Sequence, residues 1–196
     1  VVEPSVSPFN SPLLLVPKKS ENGEKKTRLV IDFRALNEKV RADKFPMARI
    51  DEIFDTLGRA RVFSTLDLAS GFLKVPLSKE SRPYCAFSTD SGHFQYKRIT
   101  IAPNSFSRMM TVALSGLEDR AQFFVDEILV FGCSARHHLI NLRKVFERLR
   151  RYNLKLNPDK CFFLRREVFY LGHRITDKGI FPDERKIEVL KRYPVP

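Results

Sequence analysis

Two adjacent carboxylates, Asp126 and Glu127, interrupt the apolar run Gln122-Phe123-Phe124-Val125-Asp126-Glu127-Ile128-Leu129-Val130-Phe131. A run this short, rich in Val, Ile and Phe, reads as two strand halves with the acidic pair at a tight hairpin turn. Carboxylates beside a core protonate unless a cation or bulk water compensates them. Taken alone, the pair is explained as well by solvated turn formers. A second stretch upstream changes the reading: Val62-Phe63-Ser64-Thr65-Leu66-Asp67-Leu68, followed by Ala69-Ser70-Gly71-Phe72, is a β-rich segment ending in one acid between leucines. If the two strands are neighbours, Asp67, Asp126 and Glu127 converge. Three carboxylates do not all stay ionised at close range without cations, so the cluster predicts a hard, oxygen-ligated metal, Mg²⁺ or Mn²⁺, rather than zinc. A pair of such ions is suited to clamping the attacking and leaving oxygens of phosphoryl or nucleotidyl transfer.

The elements that position these acids follow from periodicity and punctuation. Ile50, Ile53, Phe54 and Leu57 have helical spacing, with Gly58 as C-cap, just ahead of the Asp67 strand. Residues 1–12 hold Pro4, Pro8 and Pro12 and read as an extended arm without regular structure. A short strand at 13–16 and another at 27–33 flank Asn22-Gly23, a strong hairpin signal. Lys18, Lys19, Lys25, Lys26, Arg28 and Arg34 cluster there, either as a charged edge that blocks strand aggregation or as a hand for phosphates. Residues 74–77 and 85–89 read as strands, and Ser91-Gly92 turns into a strand at 93–98. Asn104 is placed as N-cap of a helix packing Phe106, Met109, Met110, Ala113, Leu114 and Leu117. Ser134 caps a long amphipathic helix expected to turn Leu139, Leu142, Val145, Phe146, Leu149 and Tyr152 inward. Its Arg136, Arg143, Lys144, Arg148, Arg150 and Arg151 read as a solvated face, and the adjacent His137 and His138 point to different sides. Strands around 162–164 and 168–175 close the chain, the last pair through a Tyr170-Leu171-Gly172-His173 hairpin. Helices interleaved with antiparallel hairpins make the class α+β.

Composition bounds the partner. The 196 residues carry 35 Lys and Arg against 23 Asp and Glu, a net charge of +12, and 43 % are hydrophobic, enough for a sizeable core. The expected partner is a polyanion, although charge alone describes any basic soluble protein equally well. Cys85, Cys133 and Cys161 are odd in number and lack metal-ligand spacing, so they read as reduced thiols in an intracellular setting. No leader and no membrane-length apolar run are apparent, and no membrane partner is expected. A start at Val1 without methionine and the finish Tyr193-Pro194-Val195-Pro196 suggest an excised piece of a longer polyprotein.

Six motifs in order carry a resemblance. They are Leu15-Val16-Pro17-Lys18-Lys19, Arg28-Leu29-Val30-Ile31-Asp32-Phe33-Arg34-Ala35-Leu36-Asn37, Phe63-Ser64-Thr65-Leu66-Asp67-Leu68-Ala69-Ser70-Gly71-Phe72, Phe124-Val125-Asp126-Glu127, Leu156-Asn157-Pro158-Asp159-Lys160 and Phe169-Tyr170-Leu171-Gly172-His173. Together they resemble the fingers and palm of a reverse transcriptase, most closely the polymerase of gypsy-like long-terminal-repeat retrotransposons. The resemblance implies a right-hand polymerase fold with an antiparallel palm sheet backed by helices and a fingers lobe. The arm is then 1–12, the fingers about 13–60 and 74–100, the palm about 61–73 and 101–196, with thumb and ribonuclease H outside the segment. It implies RNA-directed DNA polymerase activity, with RNA or DNA template, primer and deoxynucleoside triphosphates as partners, in a cytoplasmic particle as part of a polyprotein. Asp67 and Asp126 become the principal ligands of two Mg²⁺ (or Mn²⁺) ions, and Glu127 stands where the family has a further aspartate. Lys18 and Arg28 would hold the incoming triphosphate, and Phe72 would lie under the sugar, where its ring collides with a 2′-hydroxyl; core packing explains Phe72 equally well. Lys160 would lie near the leaving pyrophosphate, and Leu171, Gly172 and His173 would hold the primer end.

Two departures from the family pattern predict weakened activity. Glu127 carries its carboxylate one methylene further out than aspartate, and Mg²⁺ demands near-ideal geometry. Between Arg98 and Ala102-Pro103 stands only Ile99-Thr100-Ile101, where family members have a longer segment containing Met-Pro-Phe-Gly-Leu. The alternative is a catalytically inactive domain of the same descent that binds nucleic acid. A structural fragment without a separate role is a third reading, and a nuclease ranks below these because no nuclease motif is present.

Overall fold

The computed structural model describes residues 1–18, 26–41, 43–69, 71–99 and 103–184. In chain order its elements begin β1 (Val2–Pro4), β2 (Leu13–Lys18), β3 (Lys26–Ile31), α1 (Arg34–Asn37), α2 (Ile50–Asp55), β4 (Val62–Asp67), β5 (Ala86–Thr89) and β6 (Gly92–Tyr96). They continue α3 (Pro103–Leu114), β7 (Ala121–Phe124), β8 (Glu127–Gly132), α4 (Ala135–Arg151), β9 (Phe162–Arg165), β10 (Glu167–Tyr170), β11 (His173–Thr176) and β12 (Gly179–Pro182). The chain divides into two compact units, Val1–Lys44 with Phe72–Ala102, and Phe45–Gly71 with Pro103–Pro196.

The first unit holds an antiparallel β2-β3 pair and a three-stranded sheet ordered β1-β6-β5. The β2-β3 pairing agrees with the hairpin expected around Asn22-Gly23, whose turn lies outside the described residues. The proline-rich start departs from expectation, because β1 pairs with β6 from Val2↔Tyr96 to Pro4↔Phe94. Glu3 anchors it: its carboxylate accepts from Arg82 Nη1 at 3.1 Å and Gln95 Nε2 at 3.0 Å. An edge strand tolerates the missing N–H of Pro4. Residues 74–77 also depart: a 3-10 turn covers Gly71–Lys74, and Pro76 makes an isolated bridge to Arg98, since proline has no donor for a regular ladder. Asp32 accepts from both the backbone and the guanidinium of Arg34, which hold its pKa down to about 2.

The second unit is built on the antiparallel sheet β7-β8-β4-β9, with a smaller sheet β10-β11-β12. Phe63, Leu129 and Phe131 of the larger sheet pack with Ile53 and Leu57 around α2 and with Val168, Tyr170 and Ile175 of the smaller one. Helices α3 and α4 contribute the buried residues Phe106, Met110 and Ala113, and Leu142, Val145 and Leu149. Gly71 is required by close approach, because a Cβ there would meet the ring of the fully buried Phe106 at 2.7 Å. Asn104 lies inside α3 rather than capping it, the helix starting at Pro103; proline suits the first helical turn.

Helix α4 starts as expected, with Ser134 Oγ accepting from the His137 N–H at 3.2 Å. Its buried stripe is His138, Asn141, Leu142, Val145 and Leu149, whereas Leu139 is 53 %, Phe146 38 % and Tyr152 37 % exposed. The polar members take inward places because each finds a partner: His138 Nε2 lies 2.7 Å from Ser64 Oγ, and Asn141 Nδ2 donates to the Phe131 carbonyl at 2.8 Å. Reading apolar residues alone therefore rotated the helix away from its true packing face. Among the described residues no helix is long and apolar enough to cross a membrane. The three cysteines are free thiols.

Candidate functional site

Strand β4 delivers Asp67, and the β7-β8 hairpin delivers the acidic pair. The ladder β4·β8 runs from Val62↔Gly132 to Asp67↔Glu127, and β7 closes on β8 at Phe124↔Glu127, leaving Val125 and Asp126 as the two-residue turn. The Leu68 N–H donates to the Asp126 carbonyl at 3.0 Å, which ties the end of β4 to the turn. On its other side the Asp67 carbonyl accepts from the Asn157 N–H at 2.9 Å, and the Lys155 carbonyl accepts from the Ala69 N–H at 2.8 Å. The backbone carrying Asp67 is thus pinned between the acidic turn and the 155–157 loop.

That loop runs into a 3-10 turn, Pro158–Lys160. It brings Lys160 Nζ to 3.4 Å from Asp67 Oδ2, with 64 % of the lysine side chain and 17 % of the aspartate side chain exposed. Lys160 and Asp67 therefore meet directly. Among the described residues no three His, Cys, Asp or Glu side chains come close enough to hold a metal. The backbone brings the three acids to one turn, but their side chains do not form the expected cluster: like charges side by side repel, and Asp67 turns to the ammonium of Lys160. The donor set, carboxylate oxygens only, suits Mg²⁺ or Mn²⁺ and suits zinc poorly.

The turn is strained. Val125 has φ +54°, a left-handed conformation that a β-branched residue rarely adopts and that costs on the order of 1–3 kcal/mol. No glycine or asparagine marks the position, so its conformation had no signal in the sequence. Support comes from below, where the buried Tyr170 donates its O–H to the Glu127 carbonyl at 3.3 Å. Burial, reinforced by the Glu127 carboxylate, pushes the Tyr170 phenol far up, which keeps it a donor. Tyr170 was the supporting residue that sequence reasoning missed; its only signal was its place one residue before Leu171.

The remaining predicted residues lie on separate elements. Leu171 and Gly172 form the two-residue turn between Tyr170 and His173, with φ +50° and +78°. His173 Nδ1 lies 3.1 Å from the Leu171 carbonyl, and its ring meets Phe54 edge-on at 4.8 Å. Lys18 ends β2 opposite Lys26, and Arg28 lies exposed on β3 opposite Val16, both in the first unit. Phe72 falls in the 3-10 turn after Gly71. The segment at 100–102 lies outside the described residues.

Residues 16–175 match the family described as "Reverse transcriptase (RNA-dependent DNA polymerase)". Along its whole length the chain is 55 % identical to the retrovirus-related Pol polyprotein from transposon 412 of Drosophila melanogaster, of which it spans 16 %. It is 33 % identical to the corresponding polyprotein from transposon gypsy of the same species, spanning 20 % of it. Among solved structures, the foamy viral protease-reverse transcriptase in complex with double-stranded DNA superposes with a TM-score of 0.89 at 27 % identity, covering all of this chain and 34 % of that one. The foamy viral enzyme in complex with an RNA/DNA hybrid gives 0.86 at 26 % identity, over all of this chain and 26 % of that one. With the acidic turn, the α+β architecture and the six ordered motifs all in agreement, the chain belongs to the reverse transcriptase family.

Proposed function

We propose that this chain is the polymerase portion of a retrotransposon Pol polyprotein, adding deoxynucleotides to a primer on an RNA or DNA template. The observation that supports this most is the register Asp67↔Glu127, which sets a strand-end aspartate beside the Val125-Asp126 turn. In this reading Asp67 and Asp126 hold two divalent ions, with Glu127 as a further oxygen donor. When bound, Mg²⁺ or Mn²⁺ supplies Lewis-acid polarisation of the attacking and leaving oxygens. Lys160, whose Nζ lies 3.4 Å from Asp67 Oδ2, would steady the departing pyrophosphate and donate a proton to it. Lys18 and Arg28 neutralise the incoming triphosphate. Phe72 bars a 2′-hydroxyl, and the Leu171-Gly172-His173 turn holds the primer end. The first unit acts as fingers and the second as palm, within a cytoplasmic particle.

Glu127 and the short 99–101 segment set the expected rate low. Primer extension on an RNA template with Mg²⁺ or Mn²⁺ tests the reading: slow, metal-dependent incorporation is expected, lost on Asp67→Asn and raised by Glu127→Asp. Incorporation that survives Asp67→Asn would overturn the assignment. Among the described residues no three acids come close enough to hold a metal, which favours a second reading, a nucleic-acid binder without chemistry. Metal titration separates the two, because a binder shows no saturable Mn²⁺ site that Asp67→Asn removes.

A further inference from the structure

The outward stripe of α4 differs from an ordinary solvated helix face. Arg136, Leu139, Arg143, Phe146 and Arg150 follow one another at steps of three and four residues, so cations and apolar groups alternate along one line. Leu139 and Phe146 are 53 % and 38 % exposed. The three arginines are exposed and make no ion pair among the described residues. Glu147 is the one acidic residue in the helix, so the usual neutralisation by neighbours four residues away is largely missing.

The line continues onto β9. Phe146 meets Phe163 edge-on, with ring centroids 6.3 Å apart, and Phe163 is itself 41 % exposed. Strand β9 is the outer strand of its sheet, and Arg165 and Arg166 follow, both exposed. Beside the Phe146 ring lies a cavity of about 310 Å³ whose lining includes Phe146, Arg150, Asn153 and Lys155. Its walls thus offer an aromatic ring, two cations and an amide.

Exposed rings set between unpaired cations complement a polyanion that also presents flat apolar faces. Single-stranded nucleic acid has both, with phosphates for the arginines and lysine and unstacked bases for the phenylalanines. A duplex hides its base faces and could use the cations alone. The amide of Asn153 adds a group able to pair with a base edge, for which a lipid headgroup has no need. We infer that the α4–β9 face binds single-stranded nucleic acid, with Phe146 and Phe163 as stacking platform and Arg143, Arg150 and Lys155 as phosphate contacts. The surface lies one loop from the proposed polymerase site: Lys155 accepts from Ala69, two residues beyond Asp67.

The test is fluorescence anisotropy of the chain with labelled ribo- and deoxyribo-oligonucleotides of about twelve nucleotides, single-stranded or as blunt duplex, without divalent metal. The Phe146→Ala/Phe163→Ala variant is expected to weaken single-strand binding roughly tenfold or more while leaving duplex binding unchanged. Arg143→Glu/Arg150→Glu, at exposed positions that leave the core intact, should weaken it further and flatten the dependence of log affinity on log salt by a slope of about 1.4. Asp67→Asn should leave single-strand binding unchanged, so failure of the polymerase reading is distinguishable from failure of this one. Single-strand affinity within about twofold of the parent in both double variants, or a parallel loss of single-strand and duplex binding in the alanine variant, would overturn the inference. So would equal competition by anionic phospholipid vesicles.

Discussion

The second unit contains two hairpins of the same turn length that solve the same geometric problem differently. At the aromatic turn, Leu171 and Gly172 both take positive φ, +50° and +78°, the arrangement whose twist matches paired strands. At the acidic turn only Val125 is left-handed, at +54°, and the position offers neither glycine nor a polar side chain to ease it. The difference lies in what surrounds each turn. The acidic hairpin is overdetermined: β8 is paired on both sides, by β7 and β4, and the Asp126 carbonyl is bound by Leu68. The aromatic hairpin stands in a three-stranded sheet and eases one of its two left-handed positions with Gly172, leaving Leu171, which is not β-branched, at the other. Strain can therefore persist where neighbouring strands force the register, and here that register is what sets Asp126 and Glu127 beside Asp67.

The two hairpins are joined through Tyr170, and removing it gives the largest expected effect. Tyr170→Ala should destabilise the second unit by about 3–5 kcal/mol in urea denaturation, as expected for an emptied aromatic site. Tyr170→Phe, which loses only the bond to Glu127, should cost about 1 kcal/mol. A similar loss for both would mean that the link is the hydrogen bond and not the packing. The contrast in strain is tested directly at the turns. Gly172→Val should cost about 1–2 kcal/mol, because it forces a β-branched residue into a left-handed site. Val125→Gly should change stability by less than about 1 kcal/mol, relief of strain being offset by a more flexible unfolded chain. Equal losses at the two positions would erase the distinction.

The base of the acidic hairpin also depends on pH. Burial pushes the His138 imidazole below its ordinary 6.5, and the neutral ring packs against Ser64, whose Oγ also accepts from the Leu164 N–H at 3.0 Å. The unfolded chain binds this proton more readily than the folded one. The contribution is therefore fully present above pH 6.5 and is lost as pH falls below it towards the lower folded value. His138→Gln should flatten the fall in thermal midpoint between about pH 7.5 and about pH 5.5. The smallest effect on stability belongs to Lys160→Met, below about 0.5 kcal/mol because the pair with Asp67 is mostly exposed on the lysine side. Primer extension by the same variant should nevertheless fall about a hundredfold if Lys160 serves as general acid.

Much of the fold was legible in advance. The Asp67 strand, the acidic hairpin, the Ser134 cap and the Leu171-Gly172 turn each rest on local pattern or turn chemistry, which a sequence carries in full. The errors share one cause. Pro4 was read as breaking structure that Glu3 and β6 in fact hold. Leu139, Phe146 and Tyr152 were turned inward because the partners that bury His138 and Asn141, namely Ser64 and the Phe131 carbonyl, lie far off in the chain.

The residues themselves determined which groups are available: three carboxylates, a lysine on a short turn, and the alternation of strand and helix that carries them. Only the tertiary structure decided that Asp67 answers to Lys160, that Val125 is held left-handed, and that α4 presents Leu139 and Phe146 to solvent. Those outcomes depend on contacts between segments distant in the chain, and a local pattern holds no information about which distant partner will satisfy a buried polar group.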